Sequence, residues 1–202
     1  MSTYTPPSTQ KLTLLAILSA IVVVLQFFGG FVKFGSFSVS LVLMPIVIGA
    51  ALVGRLAGGW LGLLFGVVVL LTSSDVIPFW MINPAATVAV VILKGMLAGL
   101  AAGSVYQLLS KLSKTIGAVA AAIVCPIINT GIFLIGSYVL FLPSVTELGI
   151  DKGYTNVIAY IFLGFVSANF LFELGLNVLL SPAIVRLIQY GQDRFGSGKT
   201  GS

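Results

Sequence analysis

Continuous apolar runs separated by short polar stretches are the main pattern of this chain, as in Leu12–Phe28 and Leu61–Leu71. A chain that crosses lipid must satisfy its backbone polar groups internally, which only helices and closed barrels achieve. Barrel strands alternate apolar and polar residues over about ten positions, and these runs show no such alternation. The pattern therefore predicts an all-α integral membrane bundle.

A transmembrane helix needs about 20 mainly apolar residues, and six segments of the chain are predicted to supply one each. Their expected bounds are about Lys11–Gly29, Val39–Val53, Ala57–Leu71, Ala85–Leu109, Ile116–Phe141 and Val157–Ile188. Residues 11–190 are thus predicted to form one membrane domain, between a disordered N-terminal tail at 1–10 and a polar C-terminal tail at 191–202. Pro126 lies inside the fifth segment and is expected to kink it.

The composition supports a lipid environment, because 58% of the residues are hydrophobic, 7% are charged and the mean hydropathy is +1.16. Soluble domains carry about 25% charged residues. The chain has no histidine, which excludes Ser–His and Cys–His catalysis and removes the commonest metal ligand. Its one cysteine, Cys125, lies in an apolar run and is expected to be a small packing residue. We expect no catalytic residue, no metal and no cofactor, and so no enzyme.

The basic residues outside the predicted helices indicate how the bundle lies in the membrane, because cytoplasmic loops carry more Lys and Arg. If the N-terminus is inside, the cytoplasmic side holds Lys11, Arg55, Lys111, Lys114, Arg186, Arg194 and Lys199, and the outside holds Lys33 and Lys152. Seven against two predicts a multi-pass protein of the cell membrane with both termini in the cytoplasm. The same residues are scattered singly, so the net charge of +5 does not indicate nucleic-acid binding.

Three outward-facing loops are predicted at Gly30–Ser38, Thr72–Pro84 and Leu142–Asn156. Pro78 and Pro84 argue against a continuous helix in the second of them. The candidate ligand contacts in the first two loops are Phe34, Phe79, Trp80 and Asn83. Two interpretations of the aromatic residues remain open: they belong to the aromatic belt at the membrane surface, or the proline-bounded loop folds over a pocket as a lid.

Two charged residues lie deep within the predicted membrane segments, away from their ends: Lys94 in the fourth and Glu173 in the last. Placing each ionised group in lipid costs about 3 kcal/mol on insertion scales, so both side chains are expected to point into the bundle. They either form an ion pair that joins two helices, or Lys94 binds an anionic group of a substrate. Lys94 is expected about 15 Å into its helix at about 1.5 Å per residue, and Glu173 somewhat deeper.

Asparagine residues accompany these charges. Asn169, Glu173 and Asn177 recur every four residues and therefore share one helix face. Asn129 lies midway along the fifth segment, at an expected depth similar to that of Lys94. Amides in membrane bundles often only join helices, at about 0.6 kcal/mol each, and this explanation suits Asn177 best. Lys94, Asn129 and Asn169 are predicted to line one polar pocket that opens outward, with the glutamate as a partner or anchor.

The order of several motifs resembles the S component, the substrate-binding subunit, of energy-coupling-factor (ECF) vitamin transporters. The motifs are the Ala16-xxx-Ala20 pattern of the first segment, the run LVLMPIVIGAALVGRLAGGWLGLLFG (Leu41–Gly66) and the stretch NFLFELGLNVLLSP (Asn169–Pro182). The resemblance extends from Lys11 to about Ile188, and the chain length and the six-segment, N-inside layout also match. It implies a helical bundle with a vitamin pocket near the outer face.

In that family, the loop between the first two helices caps the pocket with help from other outer loops, which makes Gly30–Ser38 and Thr72–Pro84 candidate gates here. The Ala-xxx-Ala face docks on a transmembrane coupling subunit that rests on two cytoplasmic ATPases, so the resemblance makes Ala16 and Ala20 the expected coupling face. The S component itself binds no ATP and is thought to topple in the membrane. A lysine in the pocket suits a carboxylate-bearing vitamin such as pantothenate.

Other classes of protein fit the sequence less well. The main alternative is a self-sufficient secondary transporter coupled to protons through Glu173, but six helices are few for one and the chain shows no inverted repeat of broken helices. A membrane enzyme usually needs clustered acids or histidines, whereas the five acids here are scattered. A purely structural protein does not explain a lysine and a glutamate inside the membrane.

Overall fold

The computed structural model of the chain describes residues 8–29, 33–34, 37–38, 41–73, 76–151, 153, 156 and 167–196. The elements are α1 (Ser8–Gly29), β1 (Lys33–Phe34), β2 (Phe37–Ser38), α2 (Leu43–Leu52), α3 (Arg55–Thr72), α4 (Ile77–Ile82), α5 (Pro84–Leu109), α6 (Lys114–Asp151) and α7 (Ser167–Gly196). The two short strands pair antiparallel, with Lys33 opposite Ser38. All the other elements described are helices.

Five stretches of the described residues are long and apolar enough to cross a membrane. They are Thr9–Gly29, Arg55–Thr72, Pro84–Leu109, Lys114–Pro143 and Leu174–Gly191. α2 is also apolar but has 10 residues, a length of about 15 Å against a hydrocarbon core of about 30 Å. The predicted bundle of membrane helices is confirmed, with the second helix beginning at Leu43 rather than at Val39.

α2 occupies the centre of the bundle. It contacts α1, α3, α5, α6 and α7, and its residues Leu43 and Ile46 are fully buried. Pro45 lies in its first turn, where a missing N–H removes no helical hydrogen bond. The tight connection to α3 uses Gly54 at φ 130°, a backbone conformation that residues with a side chain rarely adopt. This short apolar helix is therefore a core element rather than a lipid-facing one.

α3 and α5 approach each other along a seam of glycine residues. Gly58 of α3 faces Gly99 of α5, and one turn further along α3, Gly62 faces Gly95, so the two helices run antiparallel. A methyl group at Gly58 would lie 2.6 Å from the carbonyl oxygen of Gly99, and one at Gly62 would meet the carbonyl oxygen of Gly95. Backbone contacts backbone across this seam, as in the small-xxx-small helix pairs of membrane proteins. These glycines therefore serve close packing inside the bundle.

α1 lies at the edge of the bundle, where it contacts α2 and α3. Val22 is buried in the core, and the indole N–H of Trp60 on α3 donates a hydrogen bond to the Ser19 hydroxyl oxygen at 3.4 Å. Ala16 and Ala20, by contrast, are exposed. One side of α1 therefore holds the helix on the bundle, and the alanine pair lies on its accessible surface.

α6 extends further than the sequence predicts. It runs for 38 residues as one helix through both Pro126 and Pro143, so the predicted outer loop Leu142–Asn156 is wrong over its first ten residues. A proline inside a helix lacks an N–H donor and crowds the carbonyl of the preceding turn, but the helix continues through both prolines. After the second proline, the Thr146 hydroxyl donates a hydrogen bond to the Leu142 carbonyl oxygen at 2.7 Å.

α4 occupies most of the second predicted loop. Pro78 falls in its first turn and Pro84 begins α5, positions at which a missing N–H costs no helical hydrogen bond. Asn83 between them is extended and caps α5, because its side-chain oxygen accepts the Ala86 N–H at 3.1 Å. The predicted break in the helix is confirmed, but the irregular loop is wrong for Ile77–Ile82, since the prolines here begin helices.

Helices extend into both predicted tails. α1 begins at Ser8, inside the predicted N-terminal tail at 1–10, and α7 continues to Gly196, inside the predicted C-terminal tail at 191–202. The last predicted membrane segment is described from Ser167 onward, and residues 157–166 lie outside the described part of the chain. Cys125 is fully buried in the core, as its apolar surroundings in the sequence predict.

Candidate functional site

Four residues of α6 recur at intervals of four and therefore share one face of that helix: Asn129, Phe133, Ser137 and Phe141. We name this set the α6 stripe. Phe133 is half-buried and the other three are buried. The stripe spans about 18 Å along the helix axis at about 1.5 Å per residue. It places an amide, a ring, a hydroxyl and a second ring in succession along one helix face.

Lys94 of α5 meets the middle of the α6 stripe. Its ammonium nitrogen lies 4.8 Å from the centre of the Phe133 ring, a cation–π contact of about 0.5 to 2 kcal/mol depending on desolvation. α5 and α6 run antiparallel, because Val90, one turn before Lys94, meets Gly136, which follows Phe133. The ammonium group lies against α6, and the side chain is half-buried.

Phe79 of α4 covers the C-terminal half of the stripe. Its ring makes edge contacts with the rings of Phe133 and Phe141, at 5.7 and 5.2 Å between ring centres. Because those two residues lie two turns apart on α6, the Phe79 ring lies across the turn that carries Ser137. Phe79 is 4% exposed and so is not part of a surface aromatic belt, whereas the neighbouring Trp80 is 44% exposed. One buried ring thus anchors α4 to the site.

Two polar atoms of the stripe are buried without a hydrogen-bond partner in the described part of the chain. They are Asn129 Oδ1 and Ser137 Oγ, in side chains that are 7% and 3% exposed. A buried polar group left without a hydrogen bond costs about 1 to 3 kcal/mol, and such a group in a native protein needs an explanation. The two oxygens belong to the turns before and after Phe133, the residue whose ring the ammonium group of Lys94 contacts.

Asn83 has a structural role in addition to its predicted role as a ligand contact. It is exposed, its side-chain oxygen caps α5, and its carbonyl oxygen accepts the Thr87 hydroxyl at 2.8 Å. Because the side-chain oxygen already accepts a backbone N–H, a ligand contact by this residue would use the amide nitrogen. The cap fixes the angle at which α4, with its buried Phe79 ring, joins α5.

Three of the predicted candidates are Phe34 in β1 and Asn169 and Glu173 in α7, and their side chains lie outside the described part of the structure. β2 contacts α7, so the hairpin that carries Phe34 lies beside the helix that carries the two polar residues. Asn177, one turn after Glu173, is buried, as expected for a residue that joins helices. The ion pair between Lys94 and Glu173 stays a prediction.

Sequence reasoning missed Phe133, Ser137 and Phe141. The signal that identifies them is the interval of four residues that begins at Asn129. A serine between two phenylalanines in an apolar helix has no chemical signature of its own, and Phe141 coincides with the predicted end of the fifth segment. Their significance depends on Lys94 and Phe79, which other helices bring to them.

A family model described as "ECF transporter, substrate-specific component" matches residues 10–185. The match runs from the first turn of α1 into α7 and includes Lys94 and the whole α6 stripe. The chain belongs to this family. Comparison with curated proteins gives no match.

As an ECF substrate-specific component, or S component, the protein is a multi-pass membrane protein and the substrate-binding subunit of an importer. Membership implies two kinds of partner, a substrate and an ECF module made of ATPases and a transmembrane component. It favours an importer subunit over the self-sufficient secondary transporter considered from the sequence, and a transporter subunit over an enzyme. Within the described residues, no group of three or more His, Cys, Asp or Glu side chains is placed to hold a metal ion.

Proposed function

We propose that this S component captures a water-soluble vitamin with a carboxylate group, in an outward-opening pocket where α4, α5 and α6 meet. The observation that carries the proposal is the Lys94 ammonium group above the Phe133 ring. The buried oxygens of Asn129 and Ser137 belong to the helical turns on either side of Phe133. An ammonium group in a partly buried, low-dielectric site attracts a carboxylate more strongly than it does in water. The flanking oxygens add hydrogen-bonding positions that an apolar ligand would leave unused.

Pantothenate is the first candidate among such vitamins. Its carboxylate suits Lys94, and its amide and hydroxyl groups suit the asparagine side chains of Asn129 and Asn169. A flavin or pterin needs a flat slot between aromatic faces. Here the ammonium group lies over the Phe133 ring and the Phe79 ring contacts it edge-on, so the site favours a flexible polar acid over a fused planar ring.

The proposal includes the orientation and the gates. Both termini are placed in the cytoplasm, following the distribution of basic residues. The pocket then opens outward near the β1–β2 hairpin and α4, which act as its gates. Phe79 and Trp80 belong to the gate on α4, and Phe34 to the gate on the hairpin. Asn169 and Glu173 on α7 are expected to complete the polar wall, as ligand contacts or as the partner of the lysine.

Ligand binding to the purified protein tests the proposal. The chain has two tryptophans, and Trp60→Phe leaves Trp80, which follows Phe79 in α4, as the single tryptophan. We expect pantothenate, or another carboxylate vitamin, to bind with sub-micromolar affinity and to quench the fluorescence of this variant. At a ligand concentration of 100 times Kd, Tm should rise by about 5 to 10 °C.

The control for this measurement is Trp80→Phe, which retains Trp60 next to α1 and should bind without a change in fluorescence. A panel that contains carboxylate-bearing and neutral vitamins decides the ligand class. If no vitamin of the panel shifts Tm, the proposed function is wrong. If only neutral vitamins do, the role given to the lysine is wrong.

Coupling to the ECF module gives a separate prediction. Ala16→Trp on the exposed face of α1 should abolish vitamin uptake by cells that also contain the module, while the Kd of the purified subunit stays unchanged. The large indole would prevent the close helix approach that small residues allow. Ile21→Trp is the matched control, because Ile21 is 40% exposed on another side of the same helix and should leave uptake near normal. Loss of vitamin binding in Ala16→Trp, or in Ala20→Trp, would show that this face supports the fold instead.

A further inference from the structure

Several Ser and Thr hydroxyls in the described helices bond to the backbone carbonyl one turn earlier. The pairs are Thr72 with Val68, Thr87 with Asn83, Ser104 with Leu100 and Thr146 with Leu142, at 2.7 to 2.8 Å. This local bond satisfies a hydroxyl within a helix without any tertiary partner. Ser137 differs, because it is 3% exposed and its Oγ has no partner among the described residues.

The surroundings of Ser137 are aromatic. Phe133 and Phe141 lie one turn before and one turn after it on α6, and the Phe79 ring contacts both of them. The three rings lie around this turn of the helix, but a phenyl edge does not replace the hydrogen bond that a hydroxyl group needs. The serine is therefore a polar group kept under an aromatic cover, next to the turn that meets Lys94.

Asn129 repeats the same feature on the other side of Phe133. Its Oδ1 is also buried and without a partner in the described part of the chain. Each of these two residues lies about 6 Å along the α6 axis from Phe133, at about 1.5 Å per residue. The ammonium group of Lys94 lies over the ring between them. The polar positions of the site thus form a row, with the hydroxyl, the cation and the amide in order along α6.

We propose that Ser137 is a ligand-contacting residue and that it determines which acids the site accepts. The inference rests on the proposed function and specifies its substrate class. The ligand places its anionic group at Lys94 and hydrogen-bonding groups about one helical turn away on both sides. The Ser137 hydroxyl both donates and accepts, so it suits a hydroxyl group of the ligand. An unsubstituted aliphatic or aromatic carboxylate offers no hydrogen-bonding group to Ser137 or to Asn129.

Cysteine labelling tests whether position 137 is part of the ligand site. In a Cys125→Ala background, Ser137→Cys is treated with the anionic thiol reagent sulfonatoethyl methanethiosulfonate, with and without saturating pantothenate. We expect labelling without the vitamin and at least ten-fold slower labelling with it. The wild-type protein is the control for labelling of a thiol in the packed core. Its single thiol, at Cys125, is fully buried and should remain unlabelled. A Ser137→Cys thiol that stays unlabelled, or that pantothenate does not protect, overturns the inference.

Affinity tests whether the hydroxyl itself is used. Ser137→Ala should weaken pantothenate binding about ten-fold, the usual effect of one lost hydrogen bond in a buried site. Tm of the unliganded protein should stay the same or rise, because the substitution removes a buried hydroxyl that has no partner among the described residues. A pantothenate analogue that lacks the matching hydroxyl should bind the wild type and Ser137→Ala equally. Ser104→Ala is the matched control, because that hydroxyl bonds to the Leu100 carbonyl. Equal affinity of the wild type and Ser137→Ala for every panel vitamin overturns the inference.

Different results contradict the proposed function and the role of Ser137. A wild-type protein that binds no vitamin of the panel contradicts the proposed function, and this result appears before Ser137 is changed. A wild-type protein that binds a carboxylate vitamin, together with an unaltered Kd for Ser137→Ala, leaves the proposed function standing and removes only the role of the serine. If the ligand that binds is a carboxylate other than pantothenate, it replaces pantothenate in both tests.

Discussion

Replacing Lys94 with methionine is expected to weaken binding of a carboxylate vitamin at least about thirty-fold, the effect of losing about 2 kcal/mol. Methionine keeps an unbranched apolar side chain and a favourable sulfur–aromatic contact with Phe133. It removes the positive charge that the carboxylate of the ligand requires. It also removes the cost of placing that charge in a membrane segment, so the variant should fold and fail to bind.

Isothermal titration calorimetry with pantothenate, or with the carboxylate vitamin that the panel identifies, measures this loss. Lys111→Met makes the same change at an exposed position just after α5 and should leave Kd unchanged. Unchanged affinity in Lys94→Met would mean that the lysine is structural, as in an ion pair with Glu173. Tm would then fall, because the glutamate would remain charged without its partner, and adding Glu173→Gln to the same chain should restore it.

Replacing Gly62 with alanine is expected to lower Tm by about 3 to 10 °C, because overpacking costs about 1 to 3 kcal/mol and each kcal/mol shifts Tm by about 2 to 4 °C in a chain of this size. The added methyl group would meet the carbonyl oxygen of Gly95, a backbone atom that cannot rotate away. α3 and α5 would have to separate. Because α5 also carries Lys94, the same displacement should weaken ligand binding.

Gly131→Ala provides the matched control for the glycine seam. Gly131 also lies within a membrane helix, but a methyl group there would have no atom within 4 Å. Alanine is a better helix former than glycine by about 0.5 to 1 kcal/mol, so this variant should melt at the same temperature or slightly higher. Thermal unfolding of both variants in the same detergent gives the comparison. If Gly62→Ala and Gly131→Ala have the same Tm, the close approach of α3 and α5 does not limit stability.

The lysine candidate could be predicted from the sequence because its signal is local. A charge inside a long apolar run has a cost that depends only on the surrounding composition, and Lys94 therefore marks a candidate site before any contact is known. Cys125 and the seam glycines were predictable for the same reason, since small residues in apolar segments favour close packing.

The incorrect predictions concern the effect of proline residues and the lengths of helices. The fifth helix was expected to end at Phe141 but continues through Pro143, whereas Pro78 and Pro84 were expected to mark a loop and begin two helices. A proline constrains its own turn, but the residues around it decide whether the helix continues, stops or restarts. The short α2 was also expected to be longer, because apolar sequence before Leu43 is equally consistent with a membrane span.

The sequence by itself determined that the protein is a helical membrane bundle, that it resembles the S components of ECF transporters, and that Lys94 is its most informative residue. Only the tertiary structure decided which side chains lie near that lysine. The ring of Phe133 under its ammonium group, the cover provided by Phe79 and the buried hydroxyl of Ser137 depend on how α4 and α5 lie against α6. Hydropathy records whether a residue prefers lipid or water, but not which residue of a distant helix it meets, because that depends on the packing of all the helices together.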